Sequence, residues 1–267
     1  MKPIRTAASL KIAWKRAGTS FITFIERLDR KGIPYLSHSK LTLIETCPGC
    51  YYRQYVLREK DSFPAMELGT LFHRAAKQFY AGCRNGLILK PTELLTRKQT
   101  AKLSKVSLQK LTNAVTQLRA HHWEDHEVVS YEEPFFMDLA SSLPPVIGIP
   151  DLVLHRKGSL IVVDHKTSKK FNDLDPAQLI LYAEHIRRQH KARAIIGVFD
   201  EYRTVDDLTT IKKPAFRRTP VSVDPSLLPD LILRYRNAWK QIIAIDSDGK
   251  PSSSPDCWFC NSANGWY

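Results

Sequence analysis

From Gly148 to Lys166 the chain reads Gly-Ile-Pro-Asp-Leu-Val-Leu-His-Arg-Lys-Gly-Ser-Leu-Ile-Val-Val-Asp-His-Lys. Two runs rich in β-branched residues meet at Lys157-Gly158, a pattern that predicts a β-hairpin. A two-residue turn with glycine in second place sets Arg156 against Ser159. Counting outward, it also sets Asp151 against Asp164. Side chains alternate with period two, so Lys166 shares the face of Asp164. Two carboxylates directly opposite one another repel, and a cation between them would relieve the conflict. A hard cation such as Mg2+ or Mn2+ takes oxygen ligands and keeps positions open for water and phosphate. Asp151 and Asp164 can supply two ligands and the backbone carbonyl of His165 a third. Such an ion polarises a phosphoryl oxygen and acidifies a bound water. Lys166 could then orient that water or meet charge developing on the phosphate. The same residues also fit a half-exposed hairpin whose charges are merely solvated.

The elements around the hairpin must position these groups. Glu67 to Tyr80 predicts a helix, with Leu68, Leu71, Phe72, Ala75, Ala76 and Phe79 forming an apolar stripe at helical spacing. His73 sits at the edge of that stripe, where a lone histidine is most often structural. Asp175-Pro176 opens a second helix, because proline after aspartate suits a first turn. Gln178 and Tyr182 lie four apart on it and share a face. Ala194 to Phe199 reads as a buried strand, and a final helix runs from about Pro225 to Ile245. Val128 to Met137 reads as one strand leading through a turn at residues 141–145 into the hairpin, with Glu132 or Glu133 able to approach the carboxylates. Residues 91–126 form a helical insertion beside the sheet, with Lys98, Lys102, Lys105 and Lys110 on a basic face. His121, His122 and His126 have no acids or cysteines at a known metal-ligand spacing and read as surface residues. The fold class expected is α/β, with a mixed central sheet flanked by helices.

Lysine and arginine number 40 against 27 acidic residues, a formal charge of +13. Such an excess points to a polyanionic partner, with nucleic acid ahead of a membrane surface. No run of about 18 apolar residues predicts a membrane span, and no secretory h-region is visible. A cytoplasmic setting, in a bacterial or phage-infected cell, is expected. Residues 1–35 form a basic segment in which Leu10, Ala13, Trp14 and Ala17 fall at near-helical spacing. It reads as a basic surface helix, a nucleic-acid-contacting arm or an organellar targeting peptide. Residues 36–267 read as a single domain. Ser37 or Ser39 caps a short helix ending before Cys47-Pro48. Tyr51, Tyr52, Arg53 and Tyr55 follow, a set that could stack bases and meet phosphates or pack into a core. Lys169 and Lys170, just past Lys166, are further candidates for nucleic-acid contact. Lys212, Lys213, Arg217 and Arg218 read as a basic loop, tracking phosphates or solvated.

Four of five cysteines fall into two Cys-x-x-Cys pairs, Cys47/Cys50 and Cys257/Cys260, roughly 200 residues apart. Two such pairs can close a four-thiolate site for zinc or a [4Fe–4S] cluster. Without a secretion signal, a metal is favoured over disulfides. Cys83 reads as a bystander.

Pro150-Asp151 followed by Asp164-x-Lys166 resembles the PD-(D/E)XK nuclease signature. Gly148-Ile-Pro-Asp with Val162-Val-Asp-His-Lys-Thr-Ser resembles its RecB-type branch in particular. Gly69-Thr-Leu-Phe-His and the Gln178-x-x-x-Tyr182 pair are similar to two further motifs of that branch. The resemblance implies a restriction-endonuclease-like core and a Mg2+- or Mn2+-dependent DNase. His73, Asp151 and Asp164 would be its metal ligands and Lys166 its catalytic lysine, with Gln178 and Tyr182 aligning the DNA backbone. It also implies exonuclease action on single-stranded DNA or duplex ends, alongside recombination or replication proteins. The cysteine pairs resemble the iron–sulfur staple of AddB and the CRISPR-associated RecB-type exonucleases, so [4Fe–4S] is preferred to zinc. Those relatives typically place one cysteine upstream and three downstream, whereas this chain has two and two. The other readings are a DNA-binding recombination subunit without activity, and an endonuclease on the same fold.

Overall fold

In a computed structural model of the chain, residues 5–59, 64–190, 194–209, 214–249, 251 and 257 are described. In chain order they form α1 (Ala7–Ala17), α2 (Phe21–Lys31), β1 (Leu36–Ser37), α3 (His38–Thr46), α4 (Pro48–Tyr51) and a π-helical turn at Tyr52–Val56. Next come α5 (Pro64–Arg84), α6 (Pro91–Leu94), α7 (Arg97–Thr100) and α8 (Lys105–Ala120). Then follow β2 (Glu127–Tyr131), β3 (Phe135–Met137), β4 (Val146–Gly148), β5 (Leu152–Arg156), β6 (Ser159–Ser168), α9 (Ala177–His190), β7 (Ile195–Arg203), β8 (Phe216–Val221) and α10 (Leu228–Asp248). The chain divides into two compact units. One draws on Met1–Asp61, Pro134–Gly148 and Ser226–Tyr267, the other on Ser62–Glu133 and Ile149–Pro225.

In the first unit, side-chain caps start the helices. Thr6, Ser20 and Ser37 accept backbone N–H groups from the first turns of α1, α2 and α3, satisfying donors that a helix end leaves unpaired. The spacing of Leu10 and Trp14 does make a helix. Leu10 is fully buried with Phe24, Leu28, Tyr35, Phe136 and Ile147, and Trp14 packs against that cluster. A small sheet in the order β1-β4-β3 completes the unit's strands.

The second unit is built on a five-stranded sheet, β2-β5-β6-β7-β8, in which β6 and β7 run parallel and the other pairs antiparallel. The hairpin register is the one expected, from Arg156↔Ser159 out to Leu152↔Val163. Its turn residues Lys157 and Gly158 both have positive φ, 47° and 80°, as a tight hairpin matching strand twist requires. The parallel β6–β7 pair needs a crossover, and α9 supplies it. The predicted stripe of α5 is buried, and with Leu111, Ala114, Val115 and Leu118 of α8 it covers Leu152, Leu154, Ile161, Val163 and Val198 of the sheet. The segment 91–126 thus contributes helices to this core.

Two expectations require correction. Val128 to Met137 is not one strand. Glu132 adopts a left-handed φ of 44°, Pro134 brings no N–H to a ladder, and β2 and β3 end up in different sheets. Arg217 and Arg218 do not lie on a loop. They sit in β8, in register with Glu201 and Asp200 of β7. Those acids are 1% and 0% exposed and need cationic partners. Lys212 and Lys213 lie outside the described residues.

β7 crosses its neighbours closely at Gly197, where an added Cβ would meet Val223 Cγ1 at 2.6 Å and Val221 O at 3.3 Å. Gly197→Ala should therefore lose about 1–3 kcal/mol by overpacking. At Gly69, inside α5, a Cβ meets only Thr167 Oγ1 at 3.5 Å, so Gly69→Ala should gain about 0.5–1 kcal/mol of helix propensity. Thermal melts of the two variants check the contrast. Equal melting temperatures would mean that Val223 yields freely.

Candidate active site

Alternation along β6 assigns its side chains to two faces. His165 turns toward α5, where its ring stacks on Tyr80 with 7° between the planes. Asp164 and Lys166 turn toward α9. Lys166 Nζ donates to Gln178 Oε1 at 2.8 Å, and Gln178 Nε2 donates to the Tyr182 hydroxyl at 2.8 Å. Gln178 and Tyr182 can act in series because four residues is one helical turn. Lys166 Nζ also lies 2.7 Å from Asp164 Oδ2. The ammonium is ion-paired with that buried oxygen, away from the best hydrogen-bond geometry.

Asp151 stands just before β5, beyond the Leu152↔Val163 pair. The His165 backbone N–H donates to its Oδ2 at 2.7 Å. His73, reaching from α5, places Nδ1 3.3 Å from its Oδ1. Glu132 N–H donates to the Asp151 carbonyl at 3.1 Å, and the Glu132 carboxylate pairs with Lys77 at 3.2 Å. His73, Asp151, Asp164, Lys166, Gln178 and Tyr182 thus belong to one constellation in the second unit. His165 joins it through its N–H, which fixes the Asp151 carboxylate. That N–H is a role the sequence did not suggest.

The two facing carboxylates divide their charge unequally. Burial works against ionised Asp151, but His73 and the His165 N–H hold its carboxyl below the usual range. Burial pushes Asp164 up to about 6, with the Asp151 charge adding to the rise and Lys166 opposing it. Burial also works against protonated His73, yet Asp151, then Asp164 and Glu132, more than offset it, and His73 rises to about 9. A buried carboxylate with raised proton affinity, faced by a second carboxylate, is a site that a divalent cation would satisfy. Asp151, Asp164 and His73 are the side chains fit to hold it, and His73 must shed its proton to do so.

The remaining candidates fall elsewhere. Tyr51 is in the first unit, 5% exposed and stacked on Tyr55 at 5.2 Å between centroids. Tyr55 and Tyr35 in turn flank the buried Lys40 ammonium, which pairs with Asp29 at 3.3 Å. Tyr51 therefore serves the core of its unit rather than offering an open ring. Arg53 pairs with Glu59. Lys169 and Lys170 are exposed immediately beyond β6. Arg217 pairs with Glu201. Arg218 donates twice to Asp200, at 2.7 and 2.8 Å, and its guanidinium lies 3.6 Å from the Trp123 ring. Sequence reading missed Asp200 and Glu201, although two acids closing an apolar strand were a visible signal.

Also in the first unit, the sulfurs of Cys47, Cys50 and Cys257 lie within 4.8 Å of one another. Cys50 and Cys257 approach to 3.3 Å, well beyond the ~2.05 Å of a disulfide. Three thiols so grouped can hold a metal. Cys260 lies outside the described residues.

Because Asp164 has a folded pKa above its unfolded value, the folded state keeps a proton that the unfolded state releases as pH rises from about 4 to 6. Stability falls through that window, and the cost is fully present above it. In chelator at pH 8, Asp164→Asn should therefore raise stability by on the order of 2 kcal/mol, with the gain vanishing near pH 4. It should also abolish any rise in melting temperature that Mg2+ or Mn2+ gives the parent. A variant that melts below the parent at pH 8 would show that the Lys166 ion pair outweighs burial.

No helix among the described residues is long and apolar enough to cross a membrane. No curated protein sequence matches the chain. Among solved structures it is similar to one from Eubacterium rectale described as a candidate exonuclease. The TM-score is 0.57, with 12% identity over 88% of this chain and 89% of that one. The likeness at that identity supports a shared fold, here a mixed α/β core of the restriction-endonuclease kind. Residues 35–264 match the family model of the PD-(D/E)XK nuclease superfamily, and with most of its length matched the chain belongs to that superfamily.

Proposed function

We propose that the protein is a Mg2+- or Mn2+-dependent deoxyribonuclease of the RecB-type branch. It acts as an exonuclease on single-stranded DNA or duplex ends, within cytoplasmic DNA replication, recombination or repair. Residues 36–267 form its nuclease region, and recombination or replication proteins are its natural associates. The observation that carries this reading is the run Asp164–Lys166–Gln178–Tyr182 beside the facing Asp151 carboxylate.

Asp151, Asp164 and His73 would hold the cation, with the His165 carbonyl as a further ligand. When bound, the cation supplies Lewis-acid polarisation of a phosphoryl oxygen and a more acidic water. The protein's own groups do the positioning. The His165 N–H fixes the Asp151 carboxylate, and Tyr182 anchors Gln178. Gln178 and Asp164 then hold the Lys166 ammonium in one place, where it can meet charge developing on a phosphate without first reorganising. Lys166 is about one-third exposed, so it can reach a substrate.

For the cysteines of the first unit we propose a [4Fe–4S] cluster, with Cys260 as fourth ligand and zinc as the competing occupant. Its role is structural, since it would tie the early and late parts of the chain together. Cys257→Ser should lower metal content and melting temperature together. Iron with acid-labile sulfide would identify the cluster, and zinc alone would identify the competitor. Normal metal content and melting temperature in the variant would remove the site.

The activity is tested on end-labelled single-stranded DNA with Mg2+ or Mn2+. Degradation is expected in the parent and a loss of at least about a hundredfold in Asp164→Ala and Lys166→Ala. Label position would report polarity, and a closed circle left intact would support action from ends. Variants that cut as well as the parent would refute the site. A parent that binds DNA without cutting it would turn the reading to a binding subunit.

A further inference from the structure

β6 does not end its useful run at Lys166. It continues to Ser168, and the chain leaves as Lys169-Lys170-Phe171-Asn172-Asp173. β7 and β8 pin this segment. Thr204 N–H donates to Ser168 O at 2.8 Å, and Arg203 Nε donates to Lys169 O at 3.3 Å. Arg217 Nη2 donates to Asn172 O at 2.6 Å, and Asn172 N–H donates to Glu201 Oε1 at 3.4 Å. Within the segment, Ser168 Oγ donates to Lys170 O at 2.6 Å. The segment is therefore held in shape without a helix or strand of its own.

Phe171 is half-buried there, not packed into the sheet's core. The Arg217 guanidinium lies 4.8 Å from its ring centroid and that of Arg203 6.0 Å. Lys169 and Lys170 are exposed beside it. The acid beneath, Glu201, is 1% exposed and answers the charge of Arg217, which leaves Lys169 and Lys170 facing outward. Exposed Asp173 is a negative group acting on Arg217. An arginine–aromatic contact at such an exposed place adds little to folding. That is little return for ordering a basic, part-apolar segment at the rim. A ring with guanidinium planes and flanking lysines is, however, what stacks a base and meets its phosphates.

We propose that Phe171, flanked by Arg203 and Arg217 with Lys169 and Lys170 at its edge, is a stacking platform for one base of a single-stranded nucleic acid. Phe171 lies five residues past Lys166 but only a short turn beyond the strand end. The platform is therefore on the order of 10 Å from the catalytic lysine, about three nucleotides of stacked strand. The inference rests on the nuclease reading above and specifies how that site grips its substrate.

The test uses the full chain carrying Asp164→Ala, so that the strand is not cut, and a fluorescent single-stranded oligodeoxynucleotide with one abasic position moved along it. Binding is read by anisotropy. With Phe171 present, one abasic position should weaken binding by roughly 5- to 100-fold. Phe171→Ala should weaken the intact strand by a similar factor and lose that positional sensitivity, whereas Phe171→Trp should keep both. Lys169→Ala with Lys170→Ala should reduce the slope of log affinity against log salt by about 1.4 while leaving the abasic profile in place. If Phe171→Ala binds as the parent does, or keeps the same abasic profile, the platform is overturned and the nuclease reading stands. If the Asp164→Ala protein binds no strand at all, the platform falls, and cutting by the parent decides the nuclease reading separately.

Discussion

Asp151 and Asp164 stand at the open end of one hairpin, Asp164 buried and Asp151 partly so, facing each other across the β5–β6 pair. Neither carboxylate is cheap to ionise there, and each raises the cost of the other. The surrounding structure resolves the conflict asymmetrically. Asp151 receives the His165 N–H and the His73 ring, and stays ionised. Asp164 receives the Lys166 ammonium, which burial outweighs, and its proton affinity rises. A pair of titratable groups driven apart in this way marks a place where charge is held ready for a ligand rather than for folding. The arrangement costs apo stability, and the core of α5 and α8 on the sheet offsets that cost.

The period of β6 explains how so few residues reach so many partners. A one-residue slip against β5 would move Asp164 and Lys166 to the α5 face and bring His165 to the α9 face. The tight turn at Lys157-Gly158 prevents that slip from one side, and parallel pairing with β7 from Leu160 to Ser168 prevents it from the other. β7 in turn is tied to β8 by two buried acids, Asp200 and Glu201, each with its own arginine. Removing one arginine would strand a buried charge, so these pairs hold the sheet's register more than they add net stability.

Local periodicity explains what was legible in the sequence. The hairpin register, the α5 stripe and the Gln178–Tyr182 face each depend on residues within one or two turns of each other, and each forms as the spacing predicts. What was not legible depends on partners distant in the chain. No local rule says that Arg217 and Arg218 pair with acids sixteen and eighteen residues earlier. Pro134 was a local sign that β2 and β3 part, but which sheet each joins depends on distant partners. At Glu132 the left-handed backbone is compensated by a hydrogen bond to Asp151 and an ion pair with Lys77. The aromatic run at Tyr51–Tyr55 was equally ambiguous, because bases and a buried ammonium ask the same thing of a tyrosine ring.

This division also changes what the formal charge of +13 means. Arg187, Arg188, Arg217, Arg218 and Arg234 all face carboxylates, several in geometry that suits a planar fork. Their charge is largely answered within the fold, so the field available to a polyanion comes from other groups. Lys169 and Lys170 are exposed on a segment that leaves the same strand as Lys166. Counting basic residues therefore identifies the class of partner. Where their charge goes unanswered is the face open to that partner, and along β6 it begins within three residues of Lys166.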